Sequence, residues 1–141
     1  MPEDLAHNNV NRAYSLAGTS LAIFTFMLVF LFPRYVSGEV DPLLFQSALV
    51  IMGIATFSAV LTAYHYYGAS LTDRFDEHQR VELARRGDRL WVIGYCLLFL
   101  APALILLGVG LLVVGGIWLG LWLVYVGFTV RFFPRVRTPG K

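Results

Sequence analysis

The chain has 141 residues, 57% of them hydrophobic, with a formal net charge of +2 and one cysteine. So high an apolar fraction exceeds what a soluble core can hide, and the length suits one domain with little material outside a bilayer. A nucleic-acid partner is not expected, since no aromatic-basic interleaving builds a base-stacking surface, and the lone Cys96 leaves no intramolecular disulfide or dithiol relay within one chain.

The start, Met-Pro-Glu-Asp-Leu, is acidic and lacks the basic region of a secretory signal, so the first apolar stretch is expected to persist in the mature protein. That stretch predicts a first span over 13–32. It ends before Pro33, which cannot continue a helix comfortably and which restricts Phe32. A short loop, Pro33–Pro42, follows. Asp41 and Pro42 are suited to the cap and first turn of a second span over 43–67. Residues 68–89 form a charged connector, expected to be helical between a cap at Ser70 or Thr72 and a stop at Gly87. Asp76/Arg80 and Glu82/Arg86 have the i,i+4 order that favours a helix.

The stretch Leu90–Phe133 is about twice as long as one span requires, since a bilayer core takes roughly 20 helical residues. It must conceal a hairpin. Gly108–Gly110 and Gly115–Gly116 are the two candidate turns. The second is favoured because it sets Trp118 at one interface and Trp91 at the other, where indole rings prefer to sit. Spans three and four are then 90–114 and 117–133, the last one short, followed by a basic tail over 134–141.

Every basic residue except Arg34 falls before span one, between spans two and three, or at the end of span four and beyond. Basic residues in short loops stay cytoplasmic. The expected fold is an all-α integral membrane protein, four transmembrane helices in a compact bundle with both termini cytoplasmic, in what we expect to be a prokaryotic plasma membrane. Arg85, Arg86, Arg89, Arg131, Arg135 and Arg137 are the expected contacts to anionic lipid or to a cytoplasmic partner protein.

Small residues recur at helical spacing. Gly94, Ala101 and Gly108 lie seven apart in span three, and Gly116, Gly120 and Gly127 share a face of span four, with Gly116–Gly120 forming a GxxxG. Such stripes let backbones approach in lipid. The expectation is packing of span three on span four, with self-association as the second use. A polar pattern occupies spans one and two: Asn11, Ser15, Gly18, Ala22 and Thr25 follow one face, and Ser47, Ala55, Ser58, Thr62 and His65 another. Thr25, Ser47, Ser58, Thr62 and His65 are the candidates to line a pore or hold a ligand. The competing reading is that the hydroxyls bond their own backbone or a neighbouring helix, and that His65 and the tyrosines around it mark the interface.

No Asp, Glu or Lys lies within the four predicted spans. Coupled transport ordinarily needs an ionisable residue or a broken helix near the midplane. Small multidrug transporters have this size and span count, yet their first-helix glutamate is missing here. A b-type haem needs two axial ligands, and His65 is the only histidine in a span. The connector acids Asp73, Asp76, Glu77 and Glu82 alternate with arginines as a solvated salt-bridge network does. No nucleophile-base pair, phosphate loop or metal-ligand spacing occurs. No enzyme activity, metal or cofactor is therefore expected.

The segment Ala48–Tyr67, ALVIMGIATFSAVLTAYHYY, resembles the second helix of microbial rhodopsins, where a small-rich helix ends in His-Tyr. The resemblance covers one span and implies a helix there. The retinal-binding lysine of that family has no counterpart, because Lys141 is the only lysine. The expected function is a small homo-oligomer with a channel-like, passive role and a path lined by spans one and two. The alternative is a scaffold or accessory subunit that docks through the connector and tail.

Overall fold

The computed structural model describes the backbone of residues 2–132 and the side chains of residues 8–131. The predicted tail, 134–141, lies outside the described residues. The described elements are all helical: α1 (Pro2–Phe26), a π-helical turn (Met27–Leu31), α2 (Phe32–Val36), α3 (Pro42–Ser70), α4 (Glu77–Gly108) and α5 (Leu112–Phe132). They provide four helices long and apolar enough to cross a membrane: Asn8–Val36, Pro42–Ser70, Glu77–Gly108 and Leu112–Arg131.

The first span does not stop before Pro33. It runs on to Val36 through the π turn. Pro33 has no N–H and its ring crowds the carbonyl of Val29. The wider π turn lies just upstream of that conflict, and a proline suits the first turn of α2. The helix then ends in a Schellman motif. Gly38 takes φ +79°, its N–H donates to Tyr35 O, and the Glu39 N–H donates to Arg34 O. Asp41 caps α3 as the sequence suggests, accepting the Leu44 N–H at 2.9 Å, with Pro42 in the first turn.

The connector differs from expectation. Neither Ser70 nor Thr72 caps a separate helix. Asp76 does, through a reciprocal capping box with Gln79. Gly87 does not end that helix either. It lies inside α4, which continues unbroken to Gly108. Glu82 and Arg86 do pair, at 3.2 Å.

The hairpin between the last two spans is at Gly110, not at Gly115–Gly116. Gly110 adopts φ +83°, its N–H donates to Leu107 O and that of Leu111 to Leu106 O, a second Schellman motif. Spans 90–114 and 117–133 are accordingly replaced by α4 and α5. Gly115 sits in the first turns of α5 because it must pass Leu107. A Cβ there would lie 2.8 Å from the Leu107 side chain and 3.1 Å from its backbone nitrogen. Trp118 therefore lies inside the span rather than at its edge.

The helices pack in series: α1 on α3, α3 on α4, α4 on α5. Met27 from the π turn, Ala48 and Met52 from α3 and Ala101 from α4 form one buried cluster. Leu16 and Ala17 meet Ala59 under Trp91, Tyr95 and Leu98 in another. The core thus belongs to α1, α3 and α4. The bundle of four apolar helices has a three-helix core with α5 on its flank, where only 6% of the α5 span is buried. The first residues of α1, the turn between α3 and α4 and the end of α5 gather at one end, hereafter the basic end. Arg34 lies at the other.

Candidate functional site

Four small residues of α4 lie seven apart and are all buried: Gly87, Gly94, Ala101 and Gly108. A heptad repeat keeps one helix face against a partner over several turns. The partner is α3, not the fourth span that the sequence suggested. A Cβ at Gly87 would lie 3.1 Å from the Tyr66 ring. One at Gly94 would lie 3.5 Å from both Ala55 O and Ser58 Cβ, and one at Gly108 3.4 Å from Leu44 Cβ. At the far end the Asp41 N–H donates to Gly108 O at 2.9 Å, closing the seam.

Two of the five pore candidates lie in this seam. Ser58 and Thr62 are buried, and the Thr62 hydroxyl donates to Ser58 O at 2.8 Å with Gly87 O 3.5 Å away. Ser47 is half-buried, three turns before Ser58 on the same helix. His65 is half-buried, with Nδ1 2.7 Å from Leu61 O and its ring edge-on to Tyr64. Thr25 is on α1 and is exposed. The fold therefore brings Ser58 and Thr62 together and leaves Thr25 apart from them.

The polar stripe of α1 points outward as a unit. Asn11, Ser15, Gly18, Ala22 and Thr25 are all exposed, while Ala13, Leu16, Ala17 and Ser20 on the opposite face are buried. Sequence reasoning left Ser20 out. It is 1% exposed, and its hydroxyl meets that of Thr56 on α3 at 3.0 Å. Its place on the apolar face of α1 was the available signal.

On the flank, α5 is attached by tryptophans. The Trp118 indole N–H donates to Phe99 O at 3.1 Å and that of Trp122 to Cys96 O at 2.7 Å. Both acceptors are α4 carbonyls in the two turns before Pro102. Phe99, Trp118, Leu121, Trp122 and Tyr125 surround a niche of about 180 Å³. Gly116, Gly120 and Gly127 face away from α4, and a Cβ at any of them would meet nothing within 4 Å.

The basic end carries the charge. Arg80 Nε donates to Ala69 O at 2.8 Å, tying α4 back to the end of α3. Glu82 pairs with Arg85 at 3.5 Å as well as with Arg86. Tyr66 donates to Asp88 at 2.5 Å across the seam, a contact missed because Asp88 stood just outside the predicted span. Arg85 keeps its Nε buried without a hydrogen-bond partner. Arg86, Arg89 and Arg131 are exposed. Arg135 and Arg137 lie outside the described residues. Among the described residues no group of His, Cys, Asp and Glu could hold a metal. No known protein family, curated protein or solved structure matches the chain.

Proposed function

We propose that this chain is the subunit of a small homo-oligomeric membrane protein with a passive, channel-like role. The observation that carries the reading is the outward polar stripe of α1. In lipid, hydroxyl and amide groups find no partner, and small residues pack better against another helix than against acyl chains. Copies that join along this stripe place Asn11, Ser15 and Thr25 around a shared axis. The exposed Gly116–Gly120 face of α5 offers a second contact between copies. Ser58 and Thr62 reach such a path only when α3 parts from α4, so in the closed protomer α1 supplies the lining. Facilitated passage down a gradient fits better than coupled transport. Among the described residues the acid farthest along α4, Asp88, accepts from Tyr66 toward the basic end.

Planar-bilayer recordings of the purified full chain, with Thr25→Leu and Thr62→Leu as paired variants, test the reading. The expected result is a conductance reduced several-fold by Thr25→Leu and little altered by Thr62→Leu. An unchanged conductance in Thr25→Leu removes α1 from the path. Light scattering that finds only monomers overturns the oligomer. A second reading, a scaffold that docks a cytoplasmic partner or anionic lipid, draws on the exposed Arg86, Arg89 and Arg131 at the basic end. Specific partner capture, lost on neutralising these arginines and with no conductance, favours it.

A further inference from the structure

A groove of about 470 Å³ runs between α1 and α4 near the basic end, lined by Arg12, Ser15, Thr19, Trp91, Tyr95 and Leu98. Arg12 lies one turn closer to the basic end than Leu16, which packs under Trp91 and Tyr95. The groove therefore has a cationic mouth and an apolar, aromatic floor. Arg12 is exposed and has no acidic partner among the described residues. The Ser15 hydroxyl, the Trp91 indole N–H and the Tyr95 hydroxyl likewise make no hydrogen bond among the described residues. Only the Thr19 hydroxyl is engaged, donating to Ser15 O at 2.9 Å. Trp91 and Tyr95 hold each other with ring centroids 4.7 Å apart.

We propose that this groove binds the headgroup of an anionic phospholipid, with its phosphate on Arg12 and one acyl chain along Tyr95 and Leu98. Charge complementarity selects the occupant. A guanidinium above an apolar slot matches a phosphodiester attached to a hydrocarbon tail, and a guanidinium binds phosphate oxygens with paired N–H donors. Trp91 follows the last charged residue of α4, Arg89, by two positions, where an indole ring would meet headgroups in a bilayer. A free inorganic anion would leave the lower groove unfilled. The inference needs only that the protein sit in a bilayer. It does not depend on self-association or conduction, although Ser15 borders both the groove and the outward stripe of α1.

Native mass spectrometry of the full chain, titrated with phosphatidylglycerol or phosphatidylcholine of the same acyl composition, reads the site. The expected result is preferential retention of phosphatidylglycerol, reduced about tenfold in Arg12→Gln, the size expected for loss of one charge-assisted hydrogen bond. Arg89→Gln removes the same charge at the same end but outside the groove, and is expected to change retention less than about twofold. Equal losses in the two variants mean diffuse surface charge and overturn the site, as does no loss in Arg12→Gln. Displacement of the lipid by millimolar inorganic phosphate overturns the choice of a lipid. A second measurement leaves residue 12 intact. In Trp118→Phe/Trp122→Phe protein, Trp91 is the remaining tryptophan, and phosphatidylglycerol with brominated chains is expected to quench it more strongly than brominated phosphatidylcholine. Equal quenching by the two lipids overturns the proposal.

Discussion

The two faces of α4 solve opposite problems with similar residues. Toward α3 it presents Gly87, Gly94, Ala101 and Gly108, each pressed against a neighbour. Toward α5 it presents backbone carbonyls to two indole N–H groups, with Gly115 passing Leu107 at the hairpin, while Gly116, Gly120 and Gly127 of α5 point elsewhere. The first contact is continuous and dependent on the absence of side chains. The second consists of a few aromatic anchors. A glycine stripe in a membrane helix therefore signals that some backbone can approach there, but does not say which. The seam should be intolerant of volume and the flank tolerant of it.

The sharpest way to break that comparison is to add the same side chain to both. Gly94→Leu drives a side chain into the Ala55 carbonyl and Ser58, and is expected to cost about 3 kcal/mol, enough to lose most folded protein. Gly120→Leu meets open space and is expected to stabilise the isolated protomer by up to about 1 kcal/mol, the helix-propensity gain over glycine. Thermal unfolding in detergent reads both. If Gly120→Leu is as damaging as Gly94→Leu, α5 is covered in the functional assembly, and the difference between the two faces holds only within one protomer.

The polar contact in the seam comes next. Tyr66→Phe keeps the ring beneath Gly87 and removes only the hydroxyl that donates to Asp88. A half-buried carboxylate then lacks a partner, at an expected cost of about 1 to 2 kcal/mol. Asp88→Asn, which can still accept from Tyr66, is expected to cost less. A larger loss in Asp88→Asn than in Tyr66→Phe would mean that the charge of Asp88, and not the bond, holds the seam.

How much of this was readable beforehand divides along the same line. Periodicity and charge locate four apolar helices because those signals are local: a run of Leu, Val and Phe long enough to span, and arginines grouped at its ends. The seven-residue repeat of Gly94, Ala101 and Gly108 was visible too. Its partner was not, because nothing in one helix names the face it meets. The hairpin was misplaced for a related reason. Gly110 and Gly115 are equally permissive in sequence, and an indole such as that of Trp118 suits an interface as well as the bond that its N–H makes to Phe99 O. Gly87 looked like a stop because glycine often is one, whereas here it makes room for Tyr66. The same ambiguity split the pore candidates. Thr25 and Thr62 have similar surroundings in sequence, yet one is exposed and the other fully buried.

On the flank, Trp122→Phe removes the 2.7 Å bond to Cys96 O but keeps an aromatic ring beside Tyr125 and Phe99. Hydrogen bonds between membrane helices average about 0.6 kcal/mol, so a small loss is expected, well below that of Gly94→Leu. Proteolysis or hydrogen exchange should show α5 loosening while α3 and α4 stay protected. Global unfolding in place of local loosening would make α5 part of the core.

The smallest effect belongs to the end opposite the basic end. Glu39 pairs with Arg34 at 2.9 Å, and the hydrogen bond and charge of Arg34 hold its carboxyl below the usual carboxylate range. A carboxyl whose folded pKa is depressed stabilises the fold above its unfolded pKa, and that contribution disappears as pH falls through the lower, folded value. Both partners are largely exposed, so solvent and salt screen the pair and little stability depends on it. Titrating the Glu39 side chain by NMR should give a midpoint below that of an unpaired glutamate, which rises toward the ordinary value in Arg34→Gln. The melting temperature should barely move between the two proteins at neutral pH, because the Schellman motif at Gly38 positions this turn without the ion pair. A large drop in melting temperature for Arg34→Gln would instead make the pair, and not the backbone, the clasp between α2 and α3.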